Sequence, residues 1–357
     1  MTELPFPRVT LPISDAHAIA LVGCGVIGRL QLDAYRNAGW RVVVLCDAVL
    51  ASAESARDEF FPDADATDDF EAVLRRGDVT IVDLAVHTDI RPDMVRRALL
   101  AGKNVMSQKP FVEDLEEGRE LARLADERGL TLAVNQNGRW APHFHALREI
   151  VDSGRLGRLN AADFAAYWPH DVHTEHHRLG QDPNLVLYDY AIHWFDLVAC
   201  LFPDRTATSV YASTATRPGQ LVPGPTLASV VIDFGDAQVT IVMRASSRHE
   251  DTGSFHVVGD AGAAVLHGGA EGGARLDIVG EQSAHMLTVG SWFPDALIGS
   301  MGELMSAIEE GRAPFTRASS SLVGLALCFA AIESAATGAA VDPATVSRLY
   351  APEADTP

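Results

Sequence analysis

Residues 17–28, His-Ala-Ile-Ala-Leu-Val-Gly-Cys-Gly-Val-Ile-Gly, constrain this chain more than any other stretch. A short apolar run, Ile19 to Val22, meets Gly23, Gly25 and Gly28, and a helical pattern follows at once. Strand, tight glycine turn and helix N-terminus form the context in which a G-x-G-x-x-G pattern binds a dinucleotide. Gly23 permits the turn, Gly25 lets a pyrophosphate approach the backbone, and Gly28 lets the helix pack on the strand. The helix start offers unpaired N–H groups and the positive end of its dipole. Gly23, Gly25, Val26, Ile27 and Gly28 are therefore candidate cofactor contacts.

Glycine is common, so the second half of the pattern matters more. Trp40 to Cys46 reads as a buried parallel strand, and Asp47 ends it. An acid at that place accepts the adenosine ribose hydroxyls and repels a 2′-phosphate, so NAD is expected over NADP. A plain βαβ unit with a glycine turn and an N-capping Asp is the alternative.

Further along, strands and helices alternate. Helices are expected over 26–37, 51–60, 70–76, 93–101 and 115–128, and strands over 79–86, 104–108 and 130–135, with a short one within 63–69. Such alternation implies a parallel sheet with right-handed crossovers, and a site at the C-terminal ends of its strands. The pattern changes near residue 140. After a helix over 142–151 the chain reads mostly as strands, from Asn160–Trp168 to Arg275–Val279, with turn signals at 234–237 and 259–262. One helical segment, 189–201, interrupts them, and helices return at 295–310 and 319–337. The domains expected are 1–140 and 141–357, the last helix packing back on the first domain. The Gly/Ala-rich 267–274 is the one biased segment.

Composition narrows the class of partner. A net charge of −20 repels nucleic acid and anionic membranes. No run approaches the ~20 apolar residues of a membrane span. The N-terminus lacks a basic region followed by an apolar core, so a cytoplasmic protein is expected. Cys24, Cys46, Cys200 and Cys328 show no C-x-x-C pairing and read as reduced, packed thiols.

Two constellations carry chemistry. The chain has only two lysines, Lys103 and Lys109, and the second stands in Ser107-Gln108-Lys109-Pro110 at the end of a strand. Pro110 fixes the backbone there, in a cis or trans bond, and Lys109 would project into the cleft to bind a substrate hydroxyl. The second is Asp189-Tyr190-Ala191-Ile192-His193, whose Asp and His are four apart and share a helix face. A histidine in that apolar setting is a natural proton acceptor for alcohol oxidation; a hydrogen-bonded core histidine is the plainer reading.

Together these features resemble the glucose–fructose oxidoreductase and inositol dehydrogenase family, Gfo/Idh/MocA. The likeness rests on Gly23, Gly25 and Gly28, on Gln108-Lys109-Pro110 where the family has Glu-Lys-Pro, and on Asp189-x-x-x-His193. The closing stretch is also similar, with Phe293-Pro-Asp-Ala-Leu, Met301-Gly-Glu-Leu, Ile308-Glu-Glu-Gly, Ile332-Glu-Ser-Ala and Gly338, so the likeness covers about residues 17–342.

The resemblance implies an α/β chain, with an N-terminal Rossmann doubly wound parallel sheet and a C-terminal α+β domain built on a large, mostly antiparallel open sheet. It implies NAD as cofactor, a sugar or polyol substrate, no metal, and a homo-oligomer, dimer or tetramer. Lys109 and His193 become the catalytic pair and Asp189 their substrate-orienting partner. The implied reaction is oxidation of a secondary hydroxyl. A glycosidase using transient oxidation, elimination and re-reduction shares the same site, and a non-catalytic NAD-binding sensor is a further alternative.

The chain also departs from the family pattern. Gln108 replaces Glu, which removes a charge beside Lys109, and both are expected near the cofactor. Residues 86–91 lack the common Pro and downstream His; His87 and Arg91 stand roughly in their places. His87 borders the nicotinamide or is a plain loop histidine. The run from His170 to Arg178, with His173, His176 and His177, lines a substrate pocket, is a solvated loop, or binds zinc. Arg139 and Trp140 are candidates for the cleft wall, and Trp168 stacks on a sugar face or sits in the core.

Overall fold

The computed structural model describes residues 2–249, 252–268, 274–281 and 283–350. Of the Gly/Ala-rich segment, residues 269–273 lie outside the described residues. The chain forms two compact units. One comprises Arg8–Trp140 and Trp292–Leu322; the other comprises the residues up to Pro7, Ala141–Ser291, and Val323 onward.

The first strand, β1 (Thr2–Glu3), belongs to the second unit. In the first unit β2 (Ile19–Val22), β3 (Val42–Cys46), β4 (Asp65–Thr67), β5 (Ile81–Leu84), β6 (Asn104–Gln108) and β7 (Leu132–Asn135) form one parallel sheet, in the order β4-β3-β2-β5-β6-β7. β2, β5 and β7 are buried along their whole length, as apolar strands covered on both faces must be. The order reverses between β2 and β5, which opens a crevice at the carboxyl ends of those strands. The helix Val26–Asn37 buries Leu32, Ala34 and Tyr35 in the core.

A helix from the far end of the chain completes this unit. In Asp295–Glu310, the side chains of Leu297, Met301, Leu304 and Met305 share a core cluster with Ile19, Leu21, Leu32 and Leu45. The N-terminal lead-in is fastened to the same helix. Ile13 and Ser14 donate their N–H groups to the Glu309 carboxylate at 2.8 and 3.0 Å, and the Ser14 hydroxyl donates at 2.6 Å. These bonds, the Ser14 hydroxyl first, hold the Glu309 carboxyl down to about 2.

Asp295–Glu310 thus completes the first unit, and the start of Ala318–Thr337 joins it there, with Leu322 against Gly118. The helix Ala318–Thr337 clusters from Val323 onward with the second unit, where a Cβ added at Gly324 would lie 2.8 Å from Asp196 Cα. Both helices are apolar, and apolarity does not name a partner. Ala318–Thr337 is also long and apolar enough to cross a bilayer, against the expectation that no run was, yet 61% of that stretch is buried inside the protein.

The second unit is built on nine strands: β1, β8 (Leu159–Tyr167), β9 (Ser209–Ala215), β10 (Leu227–Asp233), β11 (Gln238–Arg244), β12 (Thr252–Gly259), β13 (Gly262–Gly268), β14 (Arg275–Gly280) and β15 (Ala284–Leu287). Their order is β1-β15-β14-β13-β12-β8-β11-β10-β9. β8 with β11 and β1 with β15 are parallel; the remaining pairs are antiparallel. Burial alternates along the strands, so that in β10 Ala228, Val230 and Ile232 are buried while Ser229 and Val231 are exposed. Phe144, from the helix Pro142–Asp152, meets Phe255 of β12 edge-on at 5.0 Å and Trp194 of the helix Ile192–Leu201 at 6.0 Å.

Candidate functional site

In the first unit the three glycines do different work. Gly23 sits at φ +98°, and a Cβ there would lie 2.6 Å from the Ala85 carbonyl oxygen. A Cβ on Gly28 would lie 2.0 Å from the Gly23 oxygen. The fold itself demands both. Gly25 is different: nothing stands within 4 Å of an added Cβ, so the fold leaves this turn open at its surface. The helix Val26–Asn37 starts there with no side-chain cap and no acid in its first turn, which leaves its first N–H groups to an anion. Val26 is 59% exposed at this rim, and Ile27 is half-buried.

Asp47 follows β3 beside this turn. Its two oxygens accept from the Cys24 N–H at 2.8 Å and the Val49 N–H at 2.9 Å, which fixes the carboxylate. A dinucleotide fits this cradle: open backbone N–H groups for the pyrophosphate and an anchored acid for the ribose. Cys24 and Cys46 are buried, and burial pushes both thiols up to about 12. Behind the turn, Asp83 of β5 accepts from Tyr35 at 2.6 Å and Gln31 at 2.7 Å, and burial pushes its carboxyl up to about 7.

β6 delivers Lys109. The Lys109–Pro110 peptide is cis. Gln108 is buried, and its Oε1 accepts from the Lys109 N–H at 2.8 Å. Lys109 itself is half-buried. Lys103, before the other end of β6, is buried and donates to the carbonyls of Arg76 at 2.6 Å and Val79 at 2.9 Å, and burial lowers its pKa. His87 lies exposed in the loop after β5. Arg139 is buried at 3% exposure, donates to the Phe315 carbonyl and lies over the Phe315 ring at 4.8 Å. It braces the 315–320 turn.

Asp189 and His193 lie in the second unit. The expected single helix over 189–201 is broken: Val186–Tyr190 is a π turn, closed by Ala191 N–H to Val186 O at 2.9 Å, and the α-helix runs from Ile192 to Leu201. Such turns re-aim side chains and recur at functional sites. Asp189 is buried, and its Oδ2 lies 3.0 Å from His170 Nε2. The His170 ring stacks on Tyr190 at 4.6 Å. Next to it, Asp171 is fully buried and held in a two-pronged bond by Arg248, both distances 2.7 Å, while accepting from the Leu221 N–H at 3.0 Å. Burial opposes its charge, but the Arg248 bonds win and hold the Asp171 carboxyl below its usual range.

The histidine-rich run is thereby divided. His170 faces Asp189, His173 stacks on Trp168 at 5.2 Å, and His176 points to solvent, with its side chain 87% exposed. His177 is also exposed. Among the described residues no three His, Cys, Asp or Glu side chains group closely enough to hold a metal.

Sequence comparison now decides the family. A model of the oxidoreductase family with an NAD-binding Rossmann fold matches residues 17–136, and the model of the GFO/IDH/MocA C-terminal domain matches 144–265. The chain belongs to the Gfo/Idh/MocA oxidoreductase family. Among curated members, D-apiose dehydrogenase of Paraburkholderia graminis is 26% identical over 224 residues, 62% of this chain and 59% of that protein. The D-apiose dehydrogenase of Rhizobium rhizogenes is 23% identical over 340 residues, 90% and 96% of the two chains. Inositol 2-dehydrogenase of Rhizobium meliloti is 29% identical over 196 residues, 55% and 57%. The chain thus spans under two thirds of several of the curated members it matches. The same fold is seen in an Agrobacterium radiobacter oxidoreductase solved with NAD+, L-tartaric acid and magnesium, at TM-score 0.83, 20% identity, and 92% and 99% coverage.

Within this Gfo/Idh/MocA frame, sequence reasoning missed two polar anchors, Asp171 and Arg248, and singled out Arg91 without its role as an anchor. Arg248 stands 77 positions from Asp171, beyond any local pattern. Arg91 did leave a trace. A cation in the first turn of a helix opposes the helix dipole and calls for a tertiary reason.

Proposed function

We propose that this protein is an NAD-dependent dehydrogenase that oxidises a secondary hydroxyl of a sugar, inositol or related polyol. The observation that carries the reading is the open Gly25 cradle with the Asp47 carboxylate fixed beside it. A bound carboxylate there favours ribose hydroxyls over a 2′-phosphate, hence NAD over NADP. The names of the relatives, D-apiose and inositol dehydrogenases, support the substrate class.

When bound, NAD supplies the hydride acceptor, nicotinamide C4. The chain's own residues prepare the alcohol. Lys109 binds the reacting hydroxyl through its ammonium and favours the developing alkoxide. His193 takes the hydroxyl proton as general base. Asp189, held by His170, accepts a hydrogen bond from a neighbouring hydroxyl and so orients the substrate. The reading includes a cytoplasmic homo-oligomer. The exposed Tyr211, Val231, Val279 and Leu287 of the strands, 36–56% accessible, support association through the sheet.

The test mixes purified protein and NAD with D-apiose, D-xylose, inositols and glycosides, following NADH absorbance and product release together. Net NADH with one substrate class is the expected result. Glycoside cleavage without net NADH, or NAD binding without turnover of any of them, contradicts the reading.

A further inference from the structure

Arg91 opens the helix Arg91–Leu100, and its side chain turns back into the first unit, where it is 3% exposed. Its guanidinium engages three backbone carbonyls. Nε and Nη2 donate to Val86 O at 2.9 and 2.6 Å; Nη1 donates to Gln108 O at 2.6 Å and also to Pro110 O. Gln108 and Pro110 are the two residues flanking Lys109, and Val86 precedes His87 in the loop after β5. From the other side, the Gln108 side chain accepts the Lys109 N–H at 2.8 Å. The backbone of Lys109 is therefore fixed before it, after it and at its own nitrogen.

Here the structure assigns Arg91 as a positioning residue: its planar fork ties the loop after β5 to the Lys109 turn and sets where the Lys109 ammonium stands. This rests on the reading of Lys109 as the hydroxyl-binding cation. The role needs a guanidinium. Two parallel donors reach Val86 O while a third nitrogen spans the carbonyls around Lys109; an ammonium is a point charge and cannot do both. A static tie of this kind matters because a misplacement of about 1 Å at a reacting group costs on the order of 100-fold in rate.

The chain's two lysines make the test direct, since they bracket β6. Protein labelled at lysine Cε gives two resonances, Lys109 at the candidate site and Lys103 as an internal control. Arg91→Gln should shift and broaden the Lys109 signal and leave Lys103 in place. Arg91→Lys keeps the charge and much of the volume; it adds a third signal of its own and should still displace Lys109. Millimolar guanidinium should return the Lys109 signal of Arg91→Gln toward its parent position. An unmoved Lys109 signal in both variants, or Lys103 moving with it in both, overturns the assignment. No substrate enters this experiment. A failed reading of Lys109 as the hydroxyl-binding cation would appear separately, as turnover that survives Lys109→Ala.

Discussion

The two units fasten their candidate residues by opposite means. In the first, side chains grip backbone: Asp47 holds the amides of Cys24 and Val49, and Arg91 holds the carbonyls of Val86, Gln108 and Pro110. In the second, side chains grip side chains: His170 on Asp189, and Arg248 on the buried Asp171. Backbone groups are present whatever the sequence, so the first arrangement depends on chain path and on glycines that keep the path open. The second depends on single pairs of side chains, each vulnerable to one substitution. The lesson is that a turn held through backbone tolerates sequence change around it, while a pair of side chains is lost with either partner.

The largest effect that would sharpen this contrast is chemical. Lys109→Ala and His193→Ala should each lower turnover by about 10²- to 10⁴-fold, with NADH binding, followed by fluorescence, unchanged. The next tests the pair-by-pair unit. Arg248→Ala leaves a fully buried carboxylate without its cation and should cost the second unit about 3 kcal/mol or more in denaturant titration. NADH affinity should stay as in the parent; an equal loss in both would break the contrast.

A third effect is a pH dependence in the first unit. The buried Asp83 carboxyl is raised from 3.8 to about 7, so the folded state holds its proton where the unfolded chain has lost it. Its contribution is full below about 3.8 and is lost as pH rises toward about 7. Stability of the first unit should fall by on the order of a few kcal/mol across that window. Asp83→Asn should flatten the slope. The Glu309 carboxyl, lowered from 4.5 to about 2, acts in the opposite sense and overlaps this window only at its acid end.

How much was legible follows the same division. The glycine turn, Asp47, the parallel strands and Lys109 at a strand end were readable because each is a local constraint on backbone path. Asp189 was visible as a motif, but the π turn that presents it was not, since a helical spacing of four residues looks alike in both forms. The His170–Asp189 and Asp171–Arg248 pairs join residues 19 and 77 positions apart, and only the fold brings them together. Helix 295–310 joins the first unit although it follows residue 140, because an apolar face specifies burial and not the surface that buries it.

The central claim is that this chain moves hydride from a carbinol carbon to NAD. It is tested most directly with the substrate from the panel that turns over, deuterated at each carbinol carbon in turn. The account predicts that one labelled position, and only one, delivers deuterium to C4 of the reduced cofactor and slows its formation. Reduced cofactor free of deuterium from every labelled substrate would contradict it.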